Sequence, residues 1–189
     1  GRAFFNATTN LTIFIDNQAP TVTITNPANS SNSSDGTPEF YFNVTDNQTT
    51  TLTYRVWVNN TLEATGVTSA TNSSIIAFNI SARSANGTHV ITVEVNDTAG
   101  NVVNSTPLTV RVDQTKPSLT LSVSPTSPEP GKAVTITCSS SDDTTGVNTT
   151  EVTVTQPGGT VETSSCGAAY TSTGSSGTYT VKYTVKDLV

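Results

Sequence analysis

The sequence predicts an all-β protein: two tandem β-sandwiches, the second lacking its final strand, with a donor-type strand at the front. Three observations carry this. Short runs alternate apolar and polar residues with period 2, as in Phe40, Phe42 and Val44, or Val134, Ile136 and Cys138. Turn formers separate those runs, as in Asn-Gln-Thr-Thr (47–50), Pro-Gly-Gly (157–159) and Gly-Ser-Ser-Gly (174–177). Proline-marked stretches also recur: Ile15-Asp16 followed by Pro20 matches Val112-Asp113 followed by Pro117. A period of about 100 residues with short, regularly spaced strands is that of tandem sandwiches.

Each element follows from its residues. Residues 1–15 repeat the pattern of the strand that closes the first domain, so that Leu11, Ile13 and Ile15 match Leu108, Val110 and Val112. The first domain, 16–112, already owns that closing strand. The second, 113–189, runs through Val-Lys-Asp-Leu-Val (185–189), the counterpart of Val95 to Ala99, and has no closing strand after it. Residues 1–15 are therefore expected to complete a neighbouring domain, with Leu11, Ile13 and Ile15 entering its core and Phe4 or Phe5 covering its far end. Tyr54, Val56 and Val58 align with a stretch carrying Val152 and Val154. Ile76, Phe78 and Ile80 align with Cys166, Ala168 and Tyr170, and Val93 and Val95 with Val181, Tyr183 and Val185. No amphipathic helix is visible.

Composition narrows the function. Net charge is −6 with eight Lys plus Arg among 189 residues. There is no basic stripe for nucleic acid. No apolar run reaches the ~18–20 residues of a membrane span. Catalysis finds no support: His89 stands beside strand residues, and no nucleophile motif accompanies it. No cofactor is expected. The turn carboxylates Asp46, Asp97, Asp142, Asp143 and Asp187 can hold calcium, and capping of Asx turns explains them equally well. Lys132, Lys182 and Lys186 are candidates for an isopeptide crosslink by residue type alone.

Cys138 and Cys166 are read as a disulfide. Both fall in inward slots, and the alignment makes Val44 and Ile76 their counterparts in contact. Thirteen asparagines stand in Asn-x-Ser/Thr sequons: Asn6, Asn10, Asn29, Asn32, Asn43, Asn47, Asn59, Asn72, Asn79, Asn86, Asn96, Asn104 and Asn148. With Ser and Thr about a third of the chain, chance would qualify only about a third of the asparagines, so these are expected to carry N-glycans facing solvent. If Tyr54, Val56 and Val58 face inward, Arg55 and Trp57 face outward and form a surface contact. The alternative is a core Trp57 reached through a β-bulge.

The lead-in to each proline, the Asn-Asp-Thr-Ala-Gly-Asn turn (96–101) and the Gly-Thr-Tyr-Thr-Val stretch (177–181) resemble the immunoglobulin-like repeat domains of bacterial and archaeal cell-surface filaments and adhesins. The resemblance implies immunoglobulin-like sandwiches and an extracellular or cell-surface place, and leaves function open. The first reading is a non-enzymatic structural subunit of an N-glycosylated filament or pilus. It assembles head to tail with copies of itself by donor-strand complementation and serves adhesion. The second is a two-domain slice of a giant tandem adhesin or surface-layer stalk. The third is a carbohydrate-binding or spacer module of a secreted enzyme.

Overall fold

In the computed structural model of the chain, the described residues are Thr9, 11–69, 74–79 and 86–189. They form strands β1 (Thr21–Asn26), β2 (Ser31–Ser33), β3 (Glu39–Thr45), β4 (Thr51–Val58), β5 (Thr61–Ser69), β6 (Ser74–Asn79), β7 (Gly87–Asn96), β8 (Val102–Asn104) and β9 (Leu108–Val112). There follow β10 (Ser118–Ser124), β11 (Val134–Ser141), β12 (Val147–Thr155), β13 (Val161–Ser164), β14 (Ala169–Tyr170) and β15 (Thr180–Asp187). No helix among the described residues is long and apolar enough to cross a membrane.

The strands repeat as the sequence does. One sheet runs β1-β3-β6 and its repeat runs β10-β11-β14. The other runs β2-β9-β7-β4-β5, with β8 also on β7, and its repeat runs β13-β12-β15. Thus β4, β5 and β7 correspond to β12, β13 and β15. Among the described residues, no strand of the second repeat corresponds to β2 and β9, and the far edge of β15 is unpaired. By packing density the chain divides into two compact units, one within 1–28, 39–80 and 90–108, the other within 29–38, 81–89 and 109–189.

Alternation sets each core. Phe40, Phe42 and Val44 of β3 are buried, as are Leu52, Val56 and Val58 of β4 and Ile91, Val93 and Val95 of β7. The Phe42 ring meets Tyr54 edge-on at 5.3 Å, joining the faces of two sheets. Gly66, opposite Tyr54 in the β4–β5 register, leaves the space that the Tyr54 ring occupies. In the second repeat, Val134, Ile136, Val152, Val154, Tyr170 and Tyr183 pack together.

One alignment shifts. Val44 pairs with Ser74, and Ile76 pairs with Phe42. In the second repeat Val134 pairs with Tyr170, so Phe78 is the counterpart of Tyr170, and Ser74, two residues before Ile76, that of Cys166. The slip arises because β14 is only two residues long. Cys166 precedes it in a turn closed by Ala168 N–H donating to Ser165 O at 3.2 Å. Cys166 is accordingly exposed rather than inward.

Candidate functional site

Two aspartate triads, one per repeat, are the densest polar chemistry among the described residues. Asp16, Asp46 and Asp97 form the first; Asp113, Asp142 and Asp187 the second. In each triad one oxygen per residue lies within 4.8 Å of the others. The first triad lies wholly in the first compact unit and the second wholly in the second.

Local sequence builds them identically. Asp46 Oδ1 accepts the N–H of Gln48 at 2.8 Å and of Thr49 at 2.6 Å. Asp142 Oδ1 likewise accepts the N–H of Thr144 at 2.9 Å and of Thr145 at 3.2 Å. These Asx turns consume one oxygen per carboxylate. The other oxygens, Asp46 Oδ2 and Asp142 Oδ2, are buried without a hydrogen-bond partner. The threonine three residues on then reaches the aspartate ahead of its repeat. Thr49 Oγ1 donates to Asp16 Oδ2 at 3.3 Å. Thr145 Oγ1 lies 2.7 Å from Asp113 Oδ2 and 2.8 Å from Asp187 Oδ1. Its single proton serves one carboxylate at a time.

These surroundings favour the charged form of Asp97 and Asp113. Thr145's hydroxyl holds the Asp113 carboxyl below its usual range, against burial and with help from the N–H groups of Thr115 and Thr145. Burial pushes Asp97 up, but the Asn101 side chain and the N–H groups of Asn101, Gly100 and Ala99 outweigh it and leave Asp97 lowered. Asn101 donates to Asp97 Oδ2 at 2.7 Å and to the Asp16 carbonyl at 3.3 Å. Two oxygens on one Ca²⁺ lie at most about 5 Å apart, given bonds of roughly 2.3–2.6 Å. The triads satisfy that spacing, and the orphaned Oδ2 atoms supply free lone pairs.

The sequence pointed to four of the six triad members. Asp143 is exposed and outside the cluster. Asp16 and Asp113 were visible only as part of the repeat; the paired Asp-x-x-Thr spacing at 46–49 and 142–145 was the signal that leads to them.

The remaining candidate residues scatter. Cys138 and Cys166 are bonded, with Cα atoms 5.3 Å apart. Arg55 and Trp57 lie on the outer face of β4: Val56 and Val58 are buried while Trp57 is half-exposed. The register slips beside Trp57, but the extra residue lies in β5, so β4 keeps its alternation. Arg55 pairs with Glu94 at 2.5 Å. Asn29, Asn32, Asn47, Asn59, Asn79, Asn86, Asn104 and Asn148 are exposed, whereas Asn43 and Asn96 are half-buried with Oδ1 shielded and unpaired. Phe4, Phe5, Asn6, Asn10, Asn72 and Ile80 lie outside the described residues. Leu11, Ile13 and Ile15 are 86%, 74% and 78% exposed. His89 is buried on β7. Lys132, Lys182 and Lys186 are exposed, so the buried lysine that an isopeptide needs is missing at these positions.

A profile of the bacterial Ig-like domain matches residues 16–114. Among solved structures, the chain is similar to the fibronectin(III)-like modules of Clostridium thermocellum CbhA, at 17% identity and a TM-score of 0.42, covering 89% of this chain and 86% of that one. A search of curated proteins finds no match.

Proposed function

The chain belongs to the bacterial immunoglobulin-like domain family, and on that premise we propose that it is a structural subunit of an N-glycosylated extracellular filament, assembled head to tail by strand donation and serving adhesion. One observation carries this reading. A cleft of about 700 Å³ opens in the second repeat between the segment 125–130 and the segment 173–181, which leads into the start of β15. Its walls include Leu121, Val123, Val154, Tyr179 and Val181. In the first repeat the corresponding place, beside β7, belongs to β9, whose Leu108, Val110 and Val112 are at most 5% exposed. Leu11, Ile13 and Ile15 carry the same alternation and lie in water.

A segment with alternating apolar residues exposed to water and a cleft walled in part by apolar side chains near an unpaired strand edge suit each other. Full burial of each such side chain contributes about 1.5–3 kcal/mol before the cost of ordering the segment. Light scattering is expected to find large species for the parent chain and none for Ile13→Asp, with the circular dichroism of the sandwiches the same in both. Undiminished assembly by this variant defeats strand donation. A tandem adhesin would present the same fit along one polypeptide. The intact mass after deglycosylation separates the two: about the 19.7 kDa of this sequence for a subunit, many times that for the tandem chain. Against a sugar-binding module, Tyr170 is buried, with its hydroxyl bonded to Glu162 and Gln156.

The orphaned oxygens favour a second element of the proposal: each triad takes a divalent cation such as Ca²⁺, held by its three aspartates. Calcium is then expected to raise the melting temperature relative to chelator, and Asp46→Asn with Asp142→Asn to remove that rise. A melting curve that calcium leaves unmoved rules the cation out.

A further inference from the structure

We propose that Asn86, although exposed and standing in an Asn-Gly-Thr sequon, is kept free of sugar and serves as a latch that positions the Asp113 carboxylate. The inference rests on the reading of the sequons as glycosylated.

The observation is the use of the Asn86 carboxamide. Its Oδ1 accepts the Gln114 N–H at 2.8 Å. Its Nδ2 donates to Asp113 Oδ1 at 3.3 Å and to Thr115 Oγ1. Both protons of Nδ2 and one lone pair of Oδ1 are thus spent on three consecutive residues. The Thr115 N–H donates to the same Asp113 Oδ1 at 3.0 Å. With Oδ1 held from this side, Oδ2 faces the Thr145 N–H at 3.0 Å and the Thr145 hydroxyl.

N-glycosylation is incompatible with this use. Transfer from a phosphate-activated sugar forms a bond from Nδ2 to the sugar C1, expels the phosphate carrier and releases one Nδ2 proton. The nitrogen keeps one N–H where the latch needs two. A chain modified at Asn86 before folding cannot close the latch. Asn29 makes the contrast: its Oδ1 accepts the Thr109 N–H at 2.8 Å, a bond that a sugar on Nδ2 leaves in place.

The test has two arms. Glycopeptide mapping of the full chain from its native source is expected to find the Asn86 peptide bare while peptides of exposed sequons such as Asn104 and Asn148 carry sugar. An occupied Asn86 overturns the proposal. Should every sequon be bare, the glycosylation reading fails, and the second arm decides the latch by itself. That arm compares melting of the unmodified full chain with Asn86→Ala and Thr88→Ala, and with Asn86→Ala made on Asp113→Ala. Thr88→Ala destroys the sequon and spares the latch, so it is expected to melt with the parent, and Asn86→Ala several degrees lower. If Asn86 acts through Asp113, Asn86→Ala is expected to cost less on Asp113→Ala than on the parent. Equal melting of Asn86→Ala and the parent, or a cost that Asp113→Ala leaves unchanged, overturns the latch.

Discussion

Thr49 and Thr145 occupy the same place in the two repeats, and each ties the aspartate ahead of its repeat to the loop that holds the threonine. Thr145→Val keeps the volume and deletes the hydroxyl that lies between Asp113 and Asp187. We expect a lower urea midpoint with an unchanged slope, whereas Asp143→Asn, outside the triad, leaves the midpoint in place. The pH dependence has a definite sign. Asp97 and Asp113 are lowered in the folded chain, relative to about 3.9 for an unfolded aspartate. The folded state therefore binds fewer protons, and their contribution to stability is complete above about pH 5. It is lost as the pH falls through the folded values. Urea midpoints measured from pH 7 to pH 3 should decline, and decline less for Asp113→Asn. At this scale the sequence was half legible. Asp46, Asp97, Asp142 and Asp187 announce themselves at turns. Asp16 and Asp113 do not, because each ends an apolar stretch and meets its partners only after strands far along the chain have paired. Asn86 is hidden differently: its sequon reads as an acceptor for sugar, and only the placement of 113–115 beside it reveals the other use.

Strands with clean alternation were legible, and strands without it were not. β3, β4, β7 and β11 show their buried face directly in Phe, Val and Ile. β5 and β13 lie at sheet edges, where neither face demands an apolar row, and their mixed polar sequences give no period. β2 is Ser-Asn-Ser inside a run of turn formers; its parallel pairing with β9 is decided by β9, not by its own residues. β14 failed in register because two residues cannot show a period. The disulfide survived that error because Cys138 and Cys166 are the chain's two cysteines. It closes a separation of 28 residues, for which chain entropy gives roughly 3.5 kcal/mol. Replacing both cysteines with alanine should lower the unfolding free energy of the second repeat by about that amount, measured by denaturant titration of the full chain. Gly66→Ala is a second test of the β4–β5 pairing. Its methyl group would overlap the Tyr54 ring, so we expect a loss of about 1–3 kcal/mol, recovered in part by Tyr54→Phe, which removes the hydroxyl nearest the new methyl.

Across the whole molecule, repetition joins the sequence to the fold. Both sheets of the first repeat recur in the second, strand for strand, apart from the partners that would flank β15. Segment 125–130, which lines one wall of the open cleft, carries Pro125, Pro128 and Pro130. Prolines lack the N–H that pairing needs, so an incoming strand finds its hydrogen bonds on β15. Proline substitution within β15 should for that reason weaken assembly more than alanine at Pro128 does, as read by sedimentation. The placing of Asp113 has a mechanical consequence. Tension travelling along β9 reaches this one carboxylate before it reaches β10. There it meets several short bonds, to Thr145, Thr115 and Asn86, drawn from widely separated stretches of chain. Such a knot yields by exchanging donors and closes again when the pull relaxes, without unzipping a sheet. Pulled at constant speed, single chains should show a small reversible give ahead of the main rupture, and Thr145→Val should erase it.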